Sequence, residues 1–306
     1  MLSIKNKKFK SVPAILVAFL VFDALALGAF GSYYLAQRSF ANKMAKIEAQ
    51  NPENLVKNAT AKVLPAEGYT TSLSWGDLGQ KLILSGAIDW EQYSEYFSGL
   101  DIFSGQSNEK IAINEQNSRA LVNTLWALGL TQKSKVLDEG PMQTSGNDPA
   151  NFASTGGWTL GKQDAMVYYS SQEFIPLTPQ QQNLVQKIAE NVYRPCCGNS
   201  VAFPDCNHGM AALALTELMA SQGAGVDDIF SALKQVSPFW FPNQYHDLAL
   251  YFEGQDQEWE KVDARLVMGE DYSSGGGWQQ VNAWLQQQGV LPAAGGGAGK
   301  ASGCAP

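Results

Sequence analysis

The stretch Asp205-Cys-Asn-His-Gly-Met-Ala-Ala-Leu-Ala-Leu-Thr-Glu-Leu-Met-Ala220 carries the strongest structural signal in this chain of 306 residues. From Met210 onward it is apolar on almost every face, which predicts a helix that is buried rather than half-exposed. Asp205 is a typical N-cap residue, and Gly223 is a typical residue for ending a helix. The alanines between them allow neighbouring helices to approach closely.

Helical patterns also dominate the sequence on either side of this stretch. Thr178 to Gln181 reads as a capping box with proline at the first helical position. Residues 237–242 contain two prolines and predict a break between two helices, while the alternation in residues 68–75 predicts one short strand. The predicted helices are residues 76–84, 89–97, 117–130, 178–193, 210–220, 226–236, 244–252 and 275–288. The expected fold class is therefore mainly α with little β, in a compact domain of residues 63–290.

Residues 12–36 are expected to form a transmembrane anchor. They provide roughly the 20 apolar residues that span a bilayer, and Asp23 is the one charged residue among them. Four lysines in residues 1–11 place that basic segment in the cytoplasm by the positive-inside rule, so the domain beyond the anchor is extracytoplasmic. A cleaved signal peptide ending near Ala26 is the alternative. The expected location is the cell membrane, crossed once.

The segments that flank the domain are polar or of low complexity. Residues 37–62 are predicted to form a stalk, and the Gly/Ala-rich residues 291–306 are predicted to be a disordered tail. Asp23 lies near the middle of the apolar run, where a charge costs several kcal/mol. It is either protonated or in contact with a partner helix in the membrane or in a homo-oligomer.

The charge distribution excludes one class of partner. Residues 1–46 hold seven of the 21 Lys and Arg residues and one of the 29 Asp and Glu residues, so the remainder of the chain has a net charge of −14. Such an acidic surface repels phosphate backbones and anionic lipid headgroups. We therefore expect no nucleic-acid binding, and membrane contact only through residues 12–36.

Four side chains suited to a soft metal ion fall within thirteen residues: Cys196, Cys197, Cys206 and His208. Three thiolates and one imidazole form a donor set for zinc or copper(I). The spacing C-C-x8-C-x-H is not an established zinc-finger pattern, and adjacent cysteines do not easily reach one tetrahedral ion. Residues two apart on a helix also point away from each other, so joint ligation by Cys206 and His208 requires a distorted first turn.

Two other interpretations of these cysteines remain open. In an oxidising exterior, a disulfide from Cys206 to Cys196 or Cys197 would staple a non-catalytic scaffold. Alternatively, Cys206 at the first helical position would gain thiolate character from the helix dipole and act as the nucleophile of a thiol hydrolase, with His246 as base. The same dipole favours neutral His208, the form that binds metal. His246 is otherwise a polar residue on a helix face.

Residues 193–213 and 151–158 resemble those of a family of uncharacterised, membrane-anchored bacterial proteins, over about residues 63–278. The motif Pro-Cys-Cys followed by Asp-Cys-Asn-His-Gly is the most specific part of the resemblance. It is also similar, more loosely, to cysteine-rich "PCYCGC" proteins thought to handle metals, although this chain lacks their Cys-x-Cys-x-Cys core. Neither resemblance implies a particular activity. The sequence thus favours a membrane-anchored extracytoplasmic protein whose Cys/His site binds a soft metal ion or performs thiol redox chemistry.

Overall fold

The structure is a computed structural model that describes residues 31, 33–35, 37–39, 42 and 52–292. The chain divides into two units, Met1–Asn51 and Pro52–Pro306. Among the described residues, no helix is both long enough and apolar enough to cross a membrane. The predictions for residues 1–11, for Asp23 and most of the anchor, and for the tail beyond residue 292 fall outside the described residues and stay predictions.

The second unit is built mainly from helices, which confirms the predicted fold class at that level: 56% of the structure is helix and 8% is strand. Its elements in chain order are α1 (Pro52–Val63), β1 (Tyr69–Gly76), α2 (Leu78–Leu84), α3 (Trp90–Tyr96), β2 (Ser107–Ile113), α4 (Ser118–Thr131), α5 (Lys135–Glu139), α6 (Pro141–Thr144), α7 (Pro179–Ala189), α8 (Asn207–Ser221), α9 (Val226–Trp240), α10 (Pro242–Gly254), α11 (Ala264–Met268), α12 (Glu270–Ser273) and α13 (Gly275–Gln287). Single 3₁₀ turns lie at Pro149–Asn151, Ala165–Val167 and Trp259–Lys261.

Helix α8 lies at the centre of this unit and is buried along its length, as its apolar sequence predicts. It packs against α4, α7 and α9. Helix α4 approaches it closely at Gly129, where an added Cβ would lie 2.4 Å from the main-chain oxygen of Met210. Only glycine permits this contact, so the close packing of α4 on α8 depends on that residue.

Helix α1 belongs to the compact unit rather than to a stalk. Ala59 and Val63 are buried, the helix packs against α10, and Lys62 Nζ lies 2.6 Å from Glu253 Oε1. The compact unit therefore begins at Pro52, ahead of the boundary predicted at residue 63. For residues 37–51 the stalk remains a prediction.

The two strands form one antiparallel sheet in which Tyr69 pairs with Ile113. The predicted strand at residues 68–75 corresponds to β1, whereas β2 was not predicted. Its first residues are polar and partly exposed, and only Ile111 and Ile113 are buried. Strand β2 thus shows the alternation of a half-buried strand over its last three residues alone.

The break predicted at residues 237–242 is wrong in extent. Helix α9 continues through Pro238 to Trp240, and α10 begins at Pro242, so Phe241 alone separates them. Pro238 lies inside the last turn of α9, where it removes one helical hydrogen bond, whereas Pro242 occupies the first position of α10, where its missing N–H costs nothing. This tight junction holds Trp240 and Phe241 beside the amino-terminal end of α8.

Candidate metal centre

Cys206 is the N-cap of α8, not its first helical residue. Its backbone is extended, with φ −128° and ψ 164°, and its Sγ accepts a hydrogen bond from the backbone N–H of Gly209 across 3.3 Å. The side chain is buried, at 2% exposure. The prediction that Asp205 caps this helix is therefore wrong, because the sulfur of Cys206 takes the capping role.

Asp205 is held instead by an ion pair with a buried arginine. Its Oδ1 lies 2.5 Å from Arg194 Nη2, and its Oδ2 accepts a hydrogen bond from Asn199 Nδ2 across 2.8 Å. Burial raises the pKa of the Asp205 carboxyl, and the charge of Arg194 opposes that rise. The carboxylate is turned towards the guanidinium because a buried cation needs a close counter-charge.

Arg194 organises the loop that carries the cysteines, and it was not among the predicted site residues. Its side chain is nearly inaccessible, and each of its guanidinium nitrogens donates a hydrogen bond. Its acceptors are Cys206 Sγ (3.2 Å), Asn199 O (2.7 Å), Ser200 O (2.8 Å), Phe203 O (3.0 Å) and Asp205 Oδ1 (2.5 Å). An arginine directly before Pro-Cys-Cys in an otherwise acidic domain was the available signal.

The three sulfur atoms of the cluster lie at contact distance. Cys196 Sγ is 3.4 Å from Cys197 Sγ and 3.5 Å from Cys206 Sγ. These separations exceed the S–S bond of about 2.05 Å, so the predicted disulfide staple is not formed between these residues. Zinc–sulfur bonds of about 2.3 Å in a tetrahedron separate two sulfur atoms by about 3.8 Å. The sulfur positions are therefore close to the spacing that an ion requires.

In each of two groups of side chains, the ligand atoms all lie within 4.8 Å of one another. The first is Cys196, Cys206 and His208, and the second is Cys197, Asp205 and Cys206. Cys206 belongs to both groups and is the centre of the cluster. The structure thus distributes the four predicted ligands, with Asp205 added, over two groups that share Cys206, and each group could hold a metal ion.

The expected obstacle to ligation by Cys206 and His208 is absent because Cys206 stands in the extended conformation before the helix. Its side chain therefore does not follow the helical spacing that would turn it away from His208. The His208 ring packs on Phe241, with centroids 4.5 Å apart. Its Nδ1 is buried and has no hydrogen-bond partner among the described residues. A buried ring nitrogen without a partner suits a metal ligand.

Neighbouring groups in the cluster shift the pKa values of Cys197 and Arg194. Hydrogen bonding with Cys196 lowers the pKa of Cys197, but contact with Cys206, burial and the charge of Cys206 outweigh it and raise the pKa to about 12. Burial disfavours the charge of Arg194, yet the neighbouring sulfurs of Cys206 and Cys197 raise its pKa overall. A permanent cation therefore stands beside the sulfurs, and an incoming metal ion would displace the Cys197 proton.

An open groove of about 910 Å³ borders the cluster. Cys196 and Cys197 line it, whereas buried Cys206 is not among its lining residues. His246 also lines the groove, with its Nδ1 3.6 Å from Asp247 Oδ1. The thiol hydrolase was predicted to pair Cys206 with His246. The structure instead groups Cys206 with His208, while His246 faces the groove that Cys196 and Cys197 line.

No protein family, no curated protein and no solved structure matches this chain. The resemblances carried by the cysteine motif thus stay predictions, and the function is argued from the site itself.

Proposed function

We propose that this protein binds one soft or borderline metal ion, zinc or copper(I), through Cys196, Cys197, Cys206 and His208. The observation that carries the proposal is the convergence of Cys196, Cys206 and His208 ligand atoms within 4.8 Å. These residues come from two sides of a loop that is separately fixed by the buried Arg194. Such a fixed set of soft donors reduces the ordering cost of binding an ion.

The charges of the side chains at the site support a bound metal ion rather than a set of metal-free thiols. Three thiolates around a dication leave one negative charge, and Arg194, which also pairs with Asp205, lies within hydrogen-bond distance of Cys206 and stabilises negative charge on that sulfur. Without an ion, the high pKa of Cys197 keeps one sulfur protonated. A set of three sulfurs and one imidazole nitrogen is typical of tetrahedral zinc, while copper(I) would favour the sulfurs alone.

Thiol redox chemistry is the second candidate function, and one observation favours it. Cys196 Sγ and Cys206 Sγ lie 3.5 Å apart, so an oxidant could join them after a small movement. The thiol hydrolase has less support, because Cys206 is buried and its sulfur accepts hydrogen bonds from both Arg194 and Gly209. A nucleophile needs an accessible sulfur with a base beside it.

A metal titration tests the proposal. The full-length protein, reduced and freed of metal, is titrated with Co²⁺ while thiolate-to-cobalt charge-transfer absorption is recorded, and Zn²⁺ is then added to displace the cobalt. We expect one equivalent to bind and Cys206→Ser to abolish the absorption, since its sulfur belongs to both ligand groups. His208→Ala should weaken binding and change the spectrum, whereas the matched control His246→Ala should leave both unchanged.

An absence of charge-transfer absorption in the reduced wild-type protein would contradict the metal proposal. If a Cys206 disulfide then forms reversibly with mild oxidants, the redox function takes its place. Equal spectra for wild type and Cys206→Ser would instead place the ion at another site.

A further inference from the structure

The groove beside the cluster is the open side of the metal centre. Cys196 and Cys197 line it, whereas Cys206 is 2% exposed and neither Cys206 nor His208 is among the lining residues. The groove has a volume of about 910 Å³, within the range of about 300–1,000 Å³ that is usual for pockets that admit small molecules. A hydrated ion, or an ion held by a small carrier, can therefore reach Cys196 and Cys197 before it reaches the buried ligands.

The charges around the cluster also favour an approach through the groove. Its described lining contains no Lys or Arg residue and has one carboxylate, that of Asp247. On the side of Asp205, a cation instead meets the guanidinium of Arg194, whose Nη2 lies 2.5 Å from Asp205 Oδ1. Arg194 carries a permanent positive charge and repels a second cation at short range. The groove is thus the approach on which a metal cation meets no positive side chain among the described lining residues.

The two groups of ligand atoms share Cys206 but do not hold an ion equally well. In the group that contains His208, the Nδ1 atom is buried and has no hydrogen-bond partner among the described residues. In the group that contains Asp205, both carboxylate oxygens already accept hydrogen bonds, one from Arg194 and one from Asn199. An ion in the second group competes with these two donors for the carboxylate, so the group with His208 is the better final position.

Cys197 differs in its position from the other two sulfurs of the cluster. It lines the groove, and it belongs to the group with Asp205 but not to the group with His208. Its Sγ lies 3.4 Å from that of Cys196, which does belong to the group with His208. An ion bound to Cys197 therefore needs only a short movement to add bonds to Cys196 and Cys206, and it can keep its bond to Cys197 throughout.

We infer that the metal ion enters and leaves through this groove, and that Cys197 is the first of the four ligands to bind it. This route rests on the proposed function and specifies how its site is loaded. When the ion enters, a water molecule or a carrier ligand leaves it and a bond to the Cys197 sulfur forms. The thiol proton passes to solvent or to the departing ligand, and no electron is transferred. On release the order is reversed, so Cys197 is the last ligand to let the ion go.

Narrowing the groove tests the route. Two glycines that line it have room for a larger side chain: an added Cβ would meet nothing within 4 Å at Gly198, and only Ser274 Oγ at 3.9 Å at Gly276. In full-length, reduced Gly198→Trp and Gly276→Trp, stopped-flow charge-transfer absorption follows the uptake of Co²⁺ and its release to excess EDTA. Both rates should fall by on the order of 10-fold.

The dissociation constant should stay at its wild-type value in both groove variants, because an obstacle on a path changes the rates of uptake and release by the same factor. Leu84→Trp is the matched control. Its side chain is 77% exposed and is not among the residues that line the groove, so this variant should exchange Co²⁺ as the wild type does.

The effect of each ligand on the two rates tests the order of binding. A ligand that binds first acts on the rate of uptake, whereas a ligand that binds later acts on the rate of release. Cys197→Ser should therefore slow Co²⁺ uptake by on the order of 10-fold and leave its release nearly unchanged. Cys196→Ser is the matched comparison, because the two residues are adjacent and both line the groove, and it should mainly speed release. The reverse pattern would overturn the assignment of Cys197 as the first ligand.

The possible results distinguish the loading route from the proposed function. A wild-type protein without cobalt absorption overturns the proposed function, and the route with it. If the wild type binds one equivalent but the groove variants exchange Co²⁺ at wild-type rates, the ion uses another path, and the route is overturned while the metal centre stands. A groove variant that has lost the wild-type cobalt spectrum is set aside, and the other variant decides. Slower exchange at unchanged affinity supports the route.

Discussion

Arg194 donates its Nε–H to the sulfur of Cys206 across 3.2 Å, and both side chains are buried. The same guanidinium holds Asp205 and three backbone carbonyl oxygens of the loop between the cysteines. One cation thereby fixes the conformation of the loop and supplies a positive charge to the sulfurs. The stability of the domain and the properties of the cluster are linked through this residue.

Arg194→Ala should destabilise the protein strongly. The substitution leaves Asp205 without its counter-charge and three partly buried backbone carbonyl oxygens without this donor, and breaking a buried ion pair costs about 3–5 kcal/mol. The free energy of unfolding in urea measures the effect. The matched control is Arg265→Ala, whose pair with Asp227 is largely exposed and should contribute no more than about 1 kcal/mol. Equal losses for the two variants would show that Arg194 does not have this role.

A methyl group at Gly209 should disturb the cluster without removing any ligand. A Cβ at this position would lie 2.8 Å from Arg194 Cζ, and the guanidinium cannot move because its hydrogen bonds pin it. We expect Gly209→Ala to lose about 1–3 kcal/mol of stability and to bind cobalt more weakly. Gly198→Ala is the control, since its Cβ would meet nothing within 4 Å. A normal cobalt spectrum in Gly209→Ala would be evidence against the coupling of Arg194 to the site.

The buried Glu217 of α8 predicts a pH dependence of stability. Burial raises the pKa of its carboxyl from 4.5 to about 8, against a smaller lowering by Ser134. Because the folded state holds the proton more tightly, stability is full below about pH 4.5 and falls as the pH rises towards 8. The fall should be roughly 1.4 kcal/mol per pH unit in that window.

Glu217→Gln tests this dependence, because it keeps the shape of the side chain and removes the titration. The difference in unfolding free energy between variant and wild type should grow with pH from about 5 to 8. Exposed Glu139→Gln is the control and should follow the wild-type profile. Parallel profiles for wild type and Glu217→Gln would refute the assignment.

The thiols should differ in reactivity once metal is removed. Cys206 is 2% exposed and its sulfur accepts two hydrogen bonds, whereas Cys196 and Cys197 line the groove. We expect iodoacetamide at pH 7 to label Cys206 last, and zinc to protect all three, as followed by peptide mass spectrometry. Fast labelling confined to Cys206, and lost in His246→Ala, would favour the thiol hydrolase instead.

Local signals in the sequence predicted the elements that depend on nearby residues. The capping box at Thr178 and Gln181 forms as expected, and the apolar stretch after Met210 is a buried helix. Both patterns are complete within one segment, so no distant contact is needed to interpret them. The four cluster residues were also predicted, because their residue types and proximity in sequence are themselves a signal.

The details that were missed depend on contacts between distant parts of the site. Asp205 is an acceptable N-cap in isolation, but Arg194 takes its carboxylate and leaves the capping role to Cys206. Because Cys206 is the N-cap, it lies outside the regular helical spacing, and its sulfur can approach His208. A sequence pattern gives the preference of each residue alone, and here a buried ion pair overrides it.

Native mass spectrometry of the full-length protein, prepared under reducing conditions, tests the metal centre most directly. We expect the mass of the chain plus one zinc or copper ion, less the displaced protons, with the ion removed by a chelator and absent from Cys206→Ser. A metal-free chain that is lighter by the two hydrogens of a disulfide, unchanged by chelator and restored by stronger reductant, would contradict it.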